Sequence, residues 1–247
     1  MTNRVYVLDT GIGTCEKSLM TLNFREFGKT VKIPILTYLI KTDEENILVD
    51  TSFGSPERAD LKAWGFERPL GQAQEPIVQL KNLGLEPDRV DIVVNTHLHN
   101  DHCGNNKLFQ NSKFFIQKEE LRHAFVPDEN ERDSSGPFCN RIDFDHSLDY
   151  QLMTGDYEVA DGVQVVYTPG HTAGHQSVVV RLTNQNFIIA SDAVLMEENW
   201  KDNVPPGLVY DSIAYMNSIR KLKSIKNSIV YFSHDMNFFN RSPREFP

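Results

Sequence analysis

Residues 96–104 read THLHNDHCG, and they follow the apolar run DIVVN at 91–95. Three histidines and an aspartate fall between His97 and His102. A packed core has no use for such a cluster, because burying ionisable groups without compensation is costly. His97 and His99 lie two positions apart, so in extended backbone both side chains point to the same side. Asp101 and His102 follow where the chain is expected to turn into a helix, and they aim at a neighbouring point. One short stretch thus offers nitrogen and oxygen donors to two adjacent positions.

Similar residues recur further along. His171 in TPGHTAGH follows VVYTP, Asp192 in SDA follows FIIA, and His234 in SHD follows IVYF. Pro169 and Gly170 form a tight turn that presents His171. Loops at strand ends project side chains from a rigid edge toward a common spot, so these loops imply a composite site. Together His97, His99, His102, His171 and His234 with Asp101 and Asp192 give nitrogen and oxygen donors and no thiolate. That set suits zinc, and also manganese, iron or cobalt. Two such ions sharing a water would bring its pKa toward neutrality and yield a bridging hydroxide, with one ion polarising a carbonyl and the other steadying the leaving oxygen. An aspartate between two cations stays ionised, which is the role expected of Asp192. The bland alternative is an accidental gathering of polar residues at loop ends. His123, His146 and His175 are expected to be structural or solvent-facing, with support of a ligand residue as the lesser reading.

The whole chain bounds these expectations. Its 247 residues are 40% hydrophobic and 24% charged, ordinary for a globular protein with a substantial core. The net charge of −9 and the lack of a basic stripe argue against nucleic acid. No apolar run reaches the ~18–20 residues of a membrane helix, and the start MTNRVYVLDTG lacks a secretory pattern. Cys15, Cys103 and Cys139 form no C-x-x-C pair, which points to a reducing, cytoplasmic setting.

Strands are predicted at 5–8, 35–40, 46–50, 91–95, 113–117, 163–167, 177–181, 187–191 and 229–233 from their Val/Ile/Phe/Tyr content. Helices are predicted over PIVQLKNLGL before Gly84, over KEELRHAF at 118–125, and over 211–225 with Asp211 or Ser212 as N-cap. The polar stretch 126–150 reads as an insertion or lid, or else a surface loop.

HLHNDH resembles the H-x-H-x-D-H signature of the metallo-β-lactamase superfamily, and His171, Asp192 and His234 fit its spacing. GDYEVADGVQVVYTPGHTAGHQSV (155–178), IPILTYLIKTDEENILVDTS (33–52) and SDAVLMEENWKDNVPPG (191–207) are similar to stretches of its N-acyl homoserine lactonase branch. The resemblance implies an α/β chain forming a single αββα sandwich over 1–247, with two divalent metal ions, zinc foremost, at one edge. By the same resemblance His97, His99 and His171 would hold one ion, Asp101, His102 and His234 the other, and Asp192 would bridge them. The substrate would be a small-molecule lactone, opened by the bridging hydroxide, with Asp101 as the catalytic residue passing a proton to the ring oxygen.

The chain departs from that branch at two places. Leu195 stands where those lactonases carry a tyrosine three residues after the bridging aspartate, and Asn100 where an aromatic residue is usual. Tyr210 and Tyr157 are candidates for a replacement hydroxyl, worth of the order of 1–3 kcal/mol if charge-assisted. Phe114 and Phe115 are expected in the core, and Phe125 and Phe138 along an acyl pocket. Cys103 is expected as a small buried residue at the start of a helix, and Asp50 either supports a ligand histidine or caps a turn. Rival readings are hydrolysis of another lactone, a thioesterase of the hydroxyacylglutathione hydrolase type, and a silent small-ligand binding module. The thioesterase expects a basic C-terminal helical region, for which little chain follows His234.

Overall fold

Along the strands, successive residues face two different apolar environments. The computed structural model describes residues 3–22, 26–54, 75–126 and 144–247. In chain order the strands are β1 (Arg4–Glu16), β2 (Thr30–Lys41), β3 (Asn46–Val49), β4 (Ile92–Val94), β5 (Lys113–Gln117), β6 (Asp149–Met153), β7 (Tyr157–Ala160), β8 (Val163–Tyr167), β9 (Gln176–Arg181), β10 (Asn186–Ile189), β11 (Ser228–Tyr231) and β12 (Glu245–Phe246). They form one sheet in the order β12-β1-β2-β3-β4-β5-β6 and another in the order β11-β10-β9-β8-β7.

Tyr38, Ile40, Ile47, Val49, Ile92 and Val94 of the first sheet pack against Val163, Val165, Val178, Val180, Phe187 and Ile189 of the second. The intervening residues face outward. Leu39, Leu48, Val93 and Phe114 meet Leu80 of the helix Pro76–Asn82, and Val166, Val179 and Ile188 meet Tyr215, Ile219 and Leu222 of the helix Ser212–Ser224. Strands covered on both faces read as near-continuous apolar runs, which is why VVV and FII patterns dominate here. The result is the layered helix–sheet–sheet–helix sandwich expected.

The nine predicted strands are all present, and the 163–167 bounds are reproduced. β1 runs far beyond 5–8, and β6, β7 and β12 were not expected. Asp211 is the N-cap of Ser212–Ser224 and accepts from Ile213 and Ala214 backbone N–H groups at 2.8 and 3.0 Å. Of the expected lid at 126–150, residues 127–143 lie outside the described residues, as do Phe138 and Cys139. Among the described residues no helix is long and apolar enough to cross a membrane.

Direction within the sheets sets where chemistry gathers. β3 and β4 are parallel, as are β10 and β11, and two antiparallel pairings through β9 give β8 the same sense as β10. β3 and β4 therefore end at the same edge of the first sheet, and β8, β10 and β11 at the same edge of the second; ligand sites in open α/β sheets lie at such carboxyl ends. The β8 loop is fixed by a close approach. Gly170 has φ +136, and a Cβ there would lie 2.2 Å from the Tyr215 backbone nitrogen. Gly170→Ala should therefore cost about 1–3 kcal/mol through overpacking. An unchanged urea midpoint would refute that contact.

Candidate metal centre

Four of these strand ends bring all seven expected side chains to one place. His97 and His99 follow β4, His171 follows β8, Asp192 follows β10, and His234 follows β11. Asp101 and His102 lie on the short helix Asn100–Cys103, which turns them beside the first pair. His97, His99, His171 and Asp192 make one group able to hold an ion, and Asp101, His102 and His234 a second. In each group the donor atoms lie within 4.8 Å of one another.

Asp192 stands between the groups. Its Oδ2 lies 3.1 Å from His171 Nε2 and 3.8 Å from His97 Nε2. Its Oδ1 lies 3.2 Å from His234 Nε2 and 3.4 Å from His102 Nε2. One carboxylate oxygen thus serves each set of imidazoles. Asp101 completes the second set at 3.5 Å from His102 Nε2 and 3.6 Å from His234 Nε2.

The outer nitrogens of three of the rings are tied to the scaffold. His102 Nδ1 lies 2.7 Å from Asp50 Oδ2, and His234 Nδ1 donates to the Pro34 carbonyl at 2.9 Å. His97 Nδ1 lies 3.1 Å from Thr96 Oγ1, whose own proton goes to Asp50. Each of these rings then presents its Nε2 inward. Asp50 supports a ligand-type histidine, one of the two roles expected for it. Its backbone is left-handed at φ 63, as is that of Ser191 at φ 47, whose hydroxyl meets Thr96 Oγ1 at 2.9 Å. Such conformations in non-glycine residues cluster at functional sites.

Buried polar atoms left without partners test whether cations fit here. His97 Nε2, His102 Nε2 and Asp192 Oδ1 have none, and His171 Nε2 faces His99 Nδ1 at 3.1 Å. Buried imidazole nitrogens and carboxylate oxygens converging without hydrogen-bond partners are a donor set in search of a cation.

The electrostatics divide the two groups. Burial holds His97 and His99 well below the ordinary histidine value, so both rings are neutral. His102 is buried too, yet Asp101, Asp192 and Asp50 hold it well above that value. Burial pushes the Asp192 carboxyl up, and His234, His102 and His171 outweigh this and hold it well below the usual carboxylate range. The second group therefore retains protons that an entering cation displaces.

Two supports were undervalued or missed in the sequence. His175 is fully buried; its Nδ1 donates to the Thr168 carbonyl at 3.1 Å and its Nε2 accepts the Asp192 N–H at 3.1 Å. It acts as backbone support for Asp192, the lesser reading. Glu120 joins two of the histidine loops and carried no sequence signal beyond a charged helix face. His123 packs edge-on against Tyr210 at 4.7 Å, and His146 is exposed.

A cavity of ≈ 20 Å³ opens onto the centre, lined by His99, Asp101, His171, Asp192 and His234 and by the apolar side chains of Met20, Ile33, Leu195 and Leu208. That is room for about one water. Neither tyrosine replaces the missing hydroxyl in its lining, because Tyr157 donates to Gln176 Oε1 at 3.1 Å and Tyr210 packs on His123. Phe125 meets Phe144 edge-on at 5.2 Å rather than lining this cavity. Phe114 is fully buried and Phe115 partly buried against the core. Cys103 ends its helix instead of starting it, and its thiol donates to the His99 carbonyl at 3.2 Å.

The family model of the metallo-beta-lactamase superfamily matches residues 32–234. An N-acyl homoserine lactonase of Bacillus thuringiensis is 34% identical over 233 residues, covering 89% of this chain and 88% of its own. One from Bacillus cereus is 33% identical over 222 residues, covering 85% of this chain and 84% of its own. The solved structure of an N-acyl homoserine lactone hydrolase, with the product N-hexanoyl-L-homoserine bound at its catalytic metal centre, has a TM-score of 0.85 to this one. It is 28% identical and covers 98% of this chain and 97% of its own. The chain belongs to the metallo-beta-lactamase superfamily and, within it, to the N-acyl homoserine lactonase branch.

Acidification tests the role of His175. Burial first, and His171 next, push its pKa down to about 3, whereas an unfolded histidine titrates near ~6.5. Between those values the unfolded chain binds more protons, so stability is lost as pH falls through the window. Metal-depleted protein should lose more stability from pH 7 to pH 5 than its His175→Gln variant does. Equal losses in urea unfolding would contradict this.

Proposed function

We propose that this protein is a hydrolase that opens the ring of N-acyl homoserine lactones, using two divalent ions held by its seven histidine and aspartate side chains. The observation that carries the reading is Asp192, whose two oxygens each face a separate set of imidazoles. Zinc is the ion assigned, because nitrogen-rich sets with one or two carboxylates suit it. The Bacillus relatives and the product-bound neighbour support the substrate.

When bound, the metal pair supplies an activated water near neutral pH and a Lewis acid for the ester carbonyl. The chain's own residues do the rest. His97, His99 and His171 on one side and His102 and His234 on the other, with Asp192 between, fix where the reacting ester must lie. Asp101 lines the cavity and moves the proton. Burial pushes its carboxyl up, and the neighbouring His102 and His234 outweigh this, bringing it to about 2. An ionised Asp101 can therefore take a proton from the attacking water and return it to the ring oxygen as the C–O bond breaks. Met20, Ile33, Leu195 and Leu208 keep bulk water from one wall and offer apolar surface to the substrate. The buried free thiols of Cys15 and Cys103 suit a cytoplasmic enzyme.

Elemental analysis after zinc-supplemented expression should find close to two ions per chain, and fewer than one would contradict the metal assignment. In a pH-stat assay, acyl homoserine lactones should be hydrolysed in preference to thioesters. A thioester preference would favour the glutathione-type reading, and no turnover of any ester the silent binder. Asp101→Asn should lower kcat by roughly 10²–10⁴-fold, the range for a general acid–base group. Retention of the full rate would remove Asp101 from the mechanism.

A further inference from the structure

Glu120 is the third residue of the helix Lys118–Phe125, and it is buried. Its carboxylate reaches two loops at once. Oε1 accepts the Leu98 N–H at 2.9 Å, and Leu98 lies between His97 and His99. Oε2 accepts the Thr172 hydroxyl at 2.6 Å and the Gly174 N–H at 3.0 Å, and Thr172 follows His171. The second loop is pressed onto the helix start, since a Cβ on Gly174 would lie 2.1 Å from the Glu120 nitrogen. Three donors around one carboxylate favour its ionised form, although burial outweighs them and pushes the carboxyl above its ordinary value; hydrogen bonds to an ionised carboxylate are the strong ones.

The two bridged loops carry all three histidines of the first donor group, while Asp101 and His102 of the second follow on the helix Asn100–Cys103. The second group is held by other means, His102 by Asp50 and His234 by the Pro34 carbonyl. The β4 and β8 loops belong to different sheets; Gln176 ties their bases, donating its N–H to the Thr96 carbonyl at 2.9 Å, and Glu120 ties the parts that carry the histidines. The ring centroids of His97 and His99 stand 4.9 and 4.8 Å from that of His171, a spacing that this bridge spans.

We propose that Glu120 is a positioning residue. By gripping the His97–His99 loop and the His171 loop together, it sets the spacing of the first group and so the affinity of that group for its ion. This rests on reading the two groups as metal sites, and it adds an asymmetry that reading lacks: one ion of the pair depends on Glu120 and the other does not.

The test is stepwise zinc titration of metal-depleted protein against a chromophoric chelator, with unfolding of the same metal-depleted samples as a second readout. Glu120→Gln keeps the volume but turns an NH2 toward a donor, so one loop loses its acceptor. The expected result is a roughly 10–100-fold loss of affinity for one ion, the size typical of losing a group that orients a ligand, with the other ion's affinity unchanged. Thr172→Val removes only the hydroxyl arm and should give a smaller loss at the same ion; it serves as the test if Glu120→Gln does not fold. Unchanged affinities, or equal losses at both ions matched by a lower unfolding midpoint, would overturn the proposal and leave Glu120 a merely structural residue. Wild-type protein that takes up fewer than two ions would remove the metal reading itself and the proposal with it.

Discussion

The structure turns on one carboxylate between two sets of imidazoles. Asp192 is nearly fully buried, and so are most of the rings facing it. Buried charge of one sign is tolerable only when opposite charge lies close by. In the absence of cations the balance rests on protons, which the second group holds and the first does not. Cations at both groups would settle the imbalance, because each would supply charge to every donor around it at once. This explains why the supporting bonds all run outward. Asp50, Thr96 and Pro34 engage the outer nitrogens of His102, His97 and His234, and His175 engages the Asp192 backbone, so no inward lone pair is consumed.

The architecture serves that convergence through strand direction. Parallel pairing of β3 with β4 sets Asp50 beside Thr96, where the Asp50 N–H donates to the Val94 carbonyl at 3.0 Å and Asp50 Oδ1 accepts the Thr96 N–H at 2.8 Å. The sheets are also stitched to each other near the centre, since the Gln176 N–H donates to the Thr96 carbonyl at 2.9 Å. The site therefore straddles the seam between two sheets whose facing surfaces form the main core. Rigid packing behind it limits how far the two donor groups can drift apart.

The strands that face both layers were legible because burial on two sides demands unbroken apolar runs, as in SVVVR and FIIAS. β6 escaped notice because DYQLM is partly exposed and polar at alternate positions, and the continuation of β1 beyond residue 8 because TGIGTC carries two glycines and little apolar bulk. The seven site residues were legible because imidazoles and carboxylates immediately after strands have no packing motive. Glu120 was not, because its purpose lies in its partners. KEELRHAF presents Leu121 and Phe125 as the apolar face, yet the helix buries Glu120, His123 and Ala124 and leaves Phe125 exposed. No periodicity distinguishes a carboxylate that holds two distant loops from one that meets water.

The change at position 195 becomes intelligible once main chain and side chain are considered separately. The Leu195 carbonyl accepts the His234 N–H at 2.9 Å, so its backbone helps to place a histidine of the second group. Its side chain points instead into a cluster with Cys15, Met20, Ile33, Phe53 and Met196 and forms part of the cavity wall. The placement of the His234 ring depends on the first of these and not on the second. A different side chain at 195 can thus alter what the cavity offers a substrate without moving an imidazole. An apolar wall also rewards aliphatic surface on the substrate by roughly 25 cal/mol per Å² removed from water. With no tyrosine hydroxyl among the lining residues, binding here leans on that burial and on the ester's own attraction to the metal pair.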